Sequence, residues 1–232
     1  MYIVTGVSRG LGKAIVEELL GLNKAVIGIG RSHNFDNPNF TFLECDFSNP
    51  NSINKLVFPK LVGHVTLINN AGVLGEIKRM SDQSSLDLDQ VLTVNVLSPT
   101  SLLHSVYSKV ENKNNFTLVN ISSGAANRAI PSWAAYCASK AALNMLTETF
   151  YLEELEKENH PIVYAVAPGV IDTDMQLEIR SADEVNFSSL ENFKELKDAD
   201  KLFSPREASK RLIKLLDMPF TGQVHQDLRG VD

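Results

Sequence analysis

Short apolar runs punctuate the chain, separated by longer stretches in which apolar residues return every three or four positions. The runs at 2–5, 25–30, 41–45, 65–68, 116–121, 161–167 and 220–224 are rich in Val, Ile, Leu and Phe and predict seven strands. After the first, Leu11, Ala14, Ile15, Leu19 and Leu20 repeat at helical spacing up to Gly21, a suitable C-cap. A long helix is expected over 85–109, with Leu86, Val91, Leu92, Val94 and Leu97 on its inner side, and another over 134–159. Pro99 must disturb the turn around Asn95. Ser204-Pro205-Arg206-Glu207 reads as a capping box with proline at the first helical position, opening a helix to Asp217. Between them, about 172–204 has mixed charge and a weak pattern. It is expected as a long loop, the usual form of a lid or substrate segment.

Composition narrows the class. The 232 residues suit one domain, 1–232, and no repeat, low-complexity tract or linker divides them. Net charge is −6 and no Lys/Arg run stands out, which argues against a nucleic-acid partner. No apolar run reaches the ~20 residues of a membrane helix. The chain opens on Met1-Tyr2-Ile3-Val4 without a basic-plus-apolar leader. Cys45 and Cys137 form no CxxC and are read as reduced thiols, so a cytoplasmic protein is expected. The five histidines lack ligand spacing, and no metal site is expected.

The first strand runs into Gly6-Val7-Ser8-Arg9-Gly10-Leu11-Gly12 and then a helix. Strand, glycine loop and helix set backbone N–H groups and a helix N-terminus against a phosphate. The spacing is G-x-x-x-G-x-G. Where an acid would bind the adenosine ribose of NAD, the second strand ends in Gly30-Arg31. Arg31, with Arg9 in the glycine loop, either binds a 2′-phosphate, favouring NADP(H), or is simply solvated. Asp46 after the third strand either accepts from the adenine amino group or caps a helix beginning near Asn51. Asn69-Asn70-Ala71-Gly72 is either a turn or a place where small residues let a cofactor lie against backbone. Asn95 is either a satisfied core amide or the anchor of a proton-relaying water.

The fifth strand delivers Ser122-Ser123 at its C-terminal end, where reactive groups of open α/β sheets belong. Tyr136 and Lys140, four apart, share a helix face. The ammonium is expected to lower the phenol's pKa and suit it to acid–base work near neutrality, while Ser123 steadies a substrate oxygen. Trp133 belongs either to the core or to the pocket.

Thr5-Gly6-x-x-x-Gly10-x-Gly12, Asn69-Asn70-Ala71-Gly72, Asn95, Ser123, Tyr136-x-x-x-Lys140 and Pro168-Gly169 occur in order along nearly the whole chain. Together they resemble the short-chain dehydrogenase/reductase family, with benzil-reductase-like and sepiapterin-reductase-like members the nearer match. The resemblance implies an α/β, Rossmann-type doubly wound parallel sheet of about seven strands with helices on both faces. It implies hydride transfer between NADP(H) and a carbonyl or alcohol. Tyr136 would be the general acid/base. Lys140 would hold the nicotinamide ribose and depress the pKa of Tyr136. Ser123 would bind the substrate oxygen, and Asn95 would anchor a relay water. Cofactor contacts would come from Gly6, Ser8, Arg9, Gly10, Leu11 and Gly12, from Arg31 and Asp46, and from Asn70, Ala71 and Gly72. Tyr136, Lys140, Pro168, Gly169, Val170 and Thr173 would supply the rest. Homodimers through 85–109 and 134–159 would be possible.

The expected activity is NADPH-dependent reduction of an aryl or bulky ketone or diketone, in a pocket lined by Ala125, Ile130, Trp133, Val170, Met175 and Leu177. Alternatives are a non-catalytic nucleotide sensor, which the retained Ser123, Tyr136 and Lys140 disfavour, and an NAD(P)-dependent alcohol dehydrogenase of the same fold. A longer-chain sugar epimerase or dehydratase fits the glycine spacing poorly.

Overall fold

A computed structural model describes residues 1–231. The strands are β1 (Tyr2–Thr5), β2 (Val26–Gly30), β3 (Phe40–Glu44), β4 (Val65–Asn69), β5 (Phe116–Ile121), β6 (Ile162–Ala167) and β7 (His225–Asp227). They form one sheet in the order β3-β2-β1-β4-β5-β6-β7, and every neighbouring pair is parallel. The helices are α1 (Gly10–Gly21), α2 (Pro50–Ile53), α3 (Ser85–Leu92), α4 (Ser98–Tyr107), α5 (Ala134–Glu156), α6 (Asp174–Arg180), α7 (Leu190–Asp198) and α8 (Pro205–Asp217). This is the doubly wound Rossmann-type architecture.

The strands are apolar at nearly every position because both sheet faces are covered. Successive side chains point to opposite faces. Ile3, Leu67, Leu118 and Val163 stand in register and enter one core with Leu102 and Val106 of α4. One residue on, Val4, Ile68, Val119 and Tyr164 enter the other, with Ile15 and Leu19 of α1 and Leu212 of α8. Each fully buried aliphatic side chain here contributes about 1.5–3 kcal/mol. A third cluster joins Leu74, Trp133 and Tyr136 to Ile179, Phe187, Leu190 and Phe193. Its members come from segments that leave the C-terminal ends of β4, β5 and β6.

Several boundaries depart from expectation. The segment 172–204 is not a loop but carries α6 and α7. Lys197 and Arg180 both reach the Asp172 carboxylate, at 2.7 and 3.5 Å, and tie the two helices to the segment's start. Short helices with a few scattered aromatics leave little periodic signal. The last strand is His225–Asp227, not 220–224, because Gly222 takes φ +84° and breaks extension. Only the Val224 carbonyl, accepting from Ala165 N, joins the ladder from the expected run. The helix near Asn51 is the single turn α2.

Pro99 does not end its helix. The chain passes from α3 through a π-helical stretch, Thr93–Leu97, into α4. A π turn absorbs the missing N–H locally, and such turns collect at functional sites. Leu86 and Leu97, expected inside, are 78% and 54% exposed. Leu86 falls about 140° from Val91 at 100° per residue, and the π stretch shifts the face before Leu97, leaving Val91, Val94 and Leu102 toward the core. Leu92 lies on the flank and is also exposed. No helix among the described residues is long and apolar enough to cross a membrane.

Candidate active site

The strand order reverses at β1, whose neighbours are β2 and β4. A crevice opens at such a switch point, outside the carboxyl ends of the strands. Here it is a cleft of about 710 Å³ running from Arg31 and Asp46 at one end to Trp133 and Phe193 at the other. That volume lies within the ordinary range of ligand sites.

The nucleotide half is built by two turns that clamp one another. The Thr5 hydroxyl accepts from the N–H groups of Asn70 and Ala71, each at 2.9 Å, and Asn70 Nδ2 donates to the Thr5 carbonyl at 2.9 Å. Thr5 therefore sets the spacing of the loops after β1 and β4. Sequence reasoning gave it no role, although it heads the glycine motif. Gly6 takes φ +71°, a conformation costly for other residues. Gly6, Ser8, Arg9, Gly10 and Leu11 line the cleft, as do Asn70, Ala71 and Gly72, and, from the loop after β6, Pro168, Gly169, Val170 and Thr173. Gly12 does not. It is packed behind the wall, where an added Cβ would sit 2.2 Å from the Gly6 carbonyl oxygen.

Arg9 and Arg31 both line the cleft and are exposed. Arg9 is paired across 165 residues of sequence with Asp174 at the start of α6, at 3.2 Å. Asp46 does not cap α2; Asn49 does, accepting from Asn51 N at 3.1 Å. The Asp46 carboxylate instead accepts from the Ser48 N–H and hydroxyl, which hold it below its ordinary range, with Arg31 assisting.

In the other half, β5 ends at the cleft and presents Ser123, whose Oγ accepts from Ala125 N at 3.1 Å. The first turns of α5 bring Tyr136 and Lys140 to the same wall, with Lys140 Nζ 5.7 Å from the Tyr136 ring centre. Lys140 is 4% exposed, and its one hydrogen bond among the described residues goes to the Ile121 carbonyl at 2.8 Å. Burial without a carboxylate partner lowers its ammonium to about 8. The Tyr136 phenol moves the other way from expectation. Burial pushes it above its ordinary range, a hydrogen bond with Ser123 pulls it partway back, and Cys137 adds to the rise. Desolvation disfavours both charged forms, and neither shift carries a contribution from the other group.

Asn95 lies behind Gly72 and off the cleft wall. Its Oδ1 accepts from Val73 N at 2.9 Å, and its Nδ2 donates to the Val73 carbonyl and to Ser139 Oγ. Its side-chain amide is thus satisfied within the core. Trp133 is both core and pocket: 6% exposed, stacked on Phe187, and on the cleft wall. Ala125, Ile130, Val170 and Met175 line the cleft as expected. Leu177 points outward, 62% exposed, while its neighbours Gln176 and Ile179 form the α6 face toward the cleft. Ile179 and Phe193 were missed because nothing in 172–204 signalled which residues turn inward.

The lowered Lys140 value has a consequence for stability. Between about pH 8 and the ordinary 10.5, the unfolded chain holds a proton on Lys140 that the folded chain has released. Stability from this residue therefore rises with pH across that window. Urea unfolding of the wild type should gain on Lys140→Met by roughly 3 kcal/mol between those limits. Parallel curves for the two proteins would show an ammonium that is not desolvated.

The cleft's donors fit a dinucleotide: loop N–H groups before α1, cations at the Arg31 end, and Lys140 with N–H donors to spare midway. A family model for short chain dehydrogenases matches residues 1–184. The chain is 34% identical to benzil reductases ((S)-benzoin forming) of Bacillus cereus and Bacillus subtilis, covering 93% and 94% of this chain and 93% of each relative. A short chain dehydrogenase/reductase from Saccharomyces cerevisiae, YIR035C, superposes with a TM-score of 0.82 at 30% identity, over 98% of this chain and 95% of that one. A parallel sheet with its cleft at the switch point, matched in family and fold over almost its full length, makes this chain a member of the short-chain dehydrogenase family of nicotinamide-dependent oxidoreductases.

Proposed function

We propose that this protein is an NADPH-dependent carbonyl reductase acting on aryl or bulky ketones and diketones of the benzil kind. One observation carries the reading. Ser123, Tyr136 and Lys140 converge on one wall of the cleft, at the carboxyl end of β5. A phenol keeps its proton at neutral pH and can give it to a carbonyl oxygen as the carbonyl is reduced. The similarity to two benzil reductases and the apolar lining by Ala125, Ile130 and Met175 support the substrate class.

The bound nicotinamide cofactor supplies the hydride. Ser123 Oγ and the Tyr136 hydroxyl hold the substrate oxygen, and Tyr136 delivers its proton there as negative charge develops. Lys140 would donate to the cofactor's ribose and favour the phenolate left on Tyr136. Asn95, its side chain engaged with Val73 and Ser139, anchors a water through its backbone carbonyl, which Pro99 cannot pair in α-helical fashion. The segment 172–204 closes the substrate end. Arg31, with Arg9, would hold the 2′-phosphate of NADPH.

The test is oxidation of NADPH and of NADH with a panel of benzil, other α-diketones, quinones and a pterin ketone. Rapid turnover of NADPH with benzil and slow turnover of NADH are expected. NADPH that binds but is never oxidised by any ketone would sink the proposal. Arg31→Asp should weaken NADPH by roughly 1.5–3 kcal/mol, about ten- to a hundredfold in Kd, and leave NADH little changed. An unaltered NADPH-to-NADH ratio removes Arg31 from phosphate binding.

A further inference from the structure

One contact in the cleft belongs to neither half alone. Arg9 Nη1 donates to Asp174 Oδ2 at 3.2 Å, joining the glycine loop to the first residue of α6. Both residues line the cleft, and both side chains are open to solvent. The two partners are not equally free. Asp174 is placed by the fold around it. Thr173 Cγ2 lies against Gly10, 3.4 Å from where a Cβ on Gly10 would stand. Phe203 N donates to the Val170 carbonyl and Asp172 N to the Phe203 carbonyl, each at 2.9 Å, so both ends of the segment are pinned together. Arg9 is held by nothing else. It precedes α1 without a side-chain capping bond, and Asp174 is the one partner of its guanidinium among the described residues. Arg31, the other arginine assigned to the 2′-phosphate, acts on Asp46 at the far end of the cleft from the α6 residues Met175 and Ile179.

We propose that Asp174 is a positioning residue that sets the preference between NADPH and NADH through Arg9: its carboxylate holds the guanidinium at α6, and the 2′-phosphate of NADPH must take it away. This rests on the reading that Arg31 and Arg9 receive that phosphate. The phosphate belongs at the Arg31 end, where the acid of NAD-binding sheets is missing. Arg9 serves it by leaving Asp174, and the doubly charged phosphate is the stronger acceptor. NADH carries no such group and leaves the pair closed. The carboxylate therefore lowers affinity for NADPH and does not touch that for NADH. An exposed ion pair is weak, so the effect is small. The exchange is also reciprocal: NADPH frees the start of α6 from the glycine loop, and NADH does not.

The test measures Kd for NADPH and for NADH by fluorescence titration in the wild type, Asp174→Asn, Arg9→Gln and the double variant. Asp174→Asn keeps the shape of the side chain and gives up its charge. It should tighten NADPH roughly twofold to fivefold and leave NADH as it was. In the Arg9→Gln background the same change should do nothing, because the group it acts through is gone. Asp174→Glu, which keeps the charge, should hold the wild-type ratio of the two affinities. An equal shift for both cofactors would assign Asp174 to the stability of α6, whose first turn favours an acid, and overturn the proposal. Tightening that persists without Arg9 would mean direct repulsion of the phosphate and would overturn it too, as would unchanged or weaker NADPH binding in Asp174→Asn. Arg31→Asp separates this proposal from the reading beneath it. If Arg31→Asp shifts NADPH against NADH and Asp174→Asn does not, only the role of Asp174 falls. If neither does, the phosphate reading falls and takes this proposal with it.

Discussion

Tyr136→Phe should lower kcat for carbonyl reduction by roughly 10²- to 10⁴-fold while NADPH binds almost as before. The substitution removes one oxygen. The phenyl ring keeps the edge-on contact with Trp133 and stays in the cluster that holds Leu74, Ala125 and Phe193. Ser123 loses its hydrogen bond with the phenol but keeps the N–H of Ala125. What disappears is the phenolic proton, and the Ser123 hydroxyl, a far weaker acid, cannot replace it. Steady-state reduction of benzil and a fluorescence titration with NADPH measure the two halves of this expectation. Weakened NADPH binding with an unchanged catalytic rate would mean that Tyr136 is part of the nucleotide wall and not the acid.

Gly12→Ala should be nearly as damaging, by a different route. The added Cβ would lie 2.2 Å from the Gly6 carbonyl oxygen and 2.4 Å from Asn70 Nδ2. Neither can swing aside cheaply. Gly6 is backbone at φ +71°, and Asn70 is tied to the Thr5 carbonyl. The first turn of α1 must lift off the loop and take the nucleotide wall with it. Overpacking of this kind costs about 1–3 kcal/mol, or roughly 2–10 °C in Tm for a chain of this size, and NADPH affinity should fall at least about tenfold. Gly21→Ala is the control. It closes the same helix, nothing lies within 4 Å of its added Cβ, and a small gain in stability is expected. Equal Tm and equal affinity for Gly12→Ala and wild type would show that α1 tolerates displacement from the loop.

These two residues also show how much could be read without coordinates. Tyr136 and Lys140 are four apart, and helical geometry alone puts them on one face; the structure has them on one wall. The direction of the Tyr136 pKa was not legible. It depends on how completely the ring is removed from water, and that is set by Trp133 beside it and by the residues of 172–204 stacked on the indole. Gly12 was legible as a required glycine but not as to why. Spacing suggested contact with a ligand, whereas packing against Gly6 and Asn70 accounts for the missing side chain. Arg9 was visible as a cation in a glycine loop, and its partner Asp174 lay beyond any local reading. The exposure of Leu97 was not legible, since the π stretch at Thr93–Leu97 shifts the buried face in mid-helix.

By itself, the order of residues determined the succession of strands and helices, the strand–glycine–helix turn, and the Ser–Tyr–Lys set with its family. All of these rest on interactions between near neighbours in the chain, or on periodicities that survive in one dimension. Only the tertiary structure decided the strand order around β1, the clamp of Thr5 on the turn after β4, and the helical form of 172–204 over the substrate end. It also decided the raised phenol and lowered ammonium at the centre of the cleft. Desolvation and hydrogen-bond satisfaction are properties of the packed whole. A residue's own neighbours in sequence do not say whether water or another strand will lie against it.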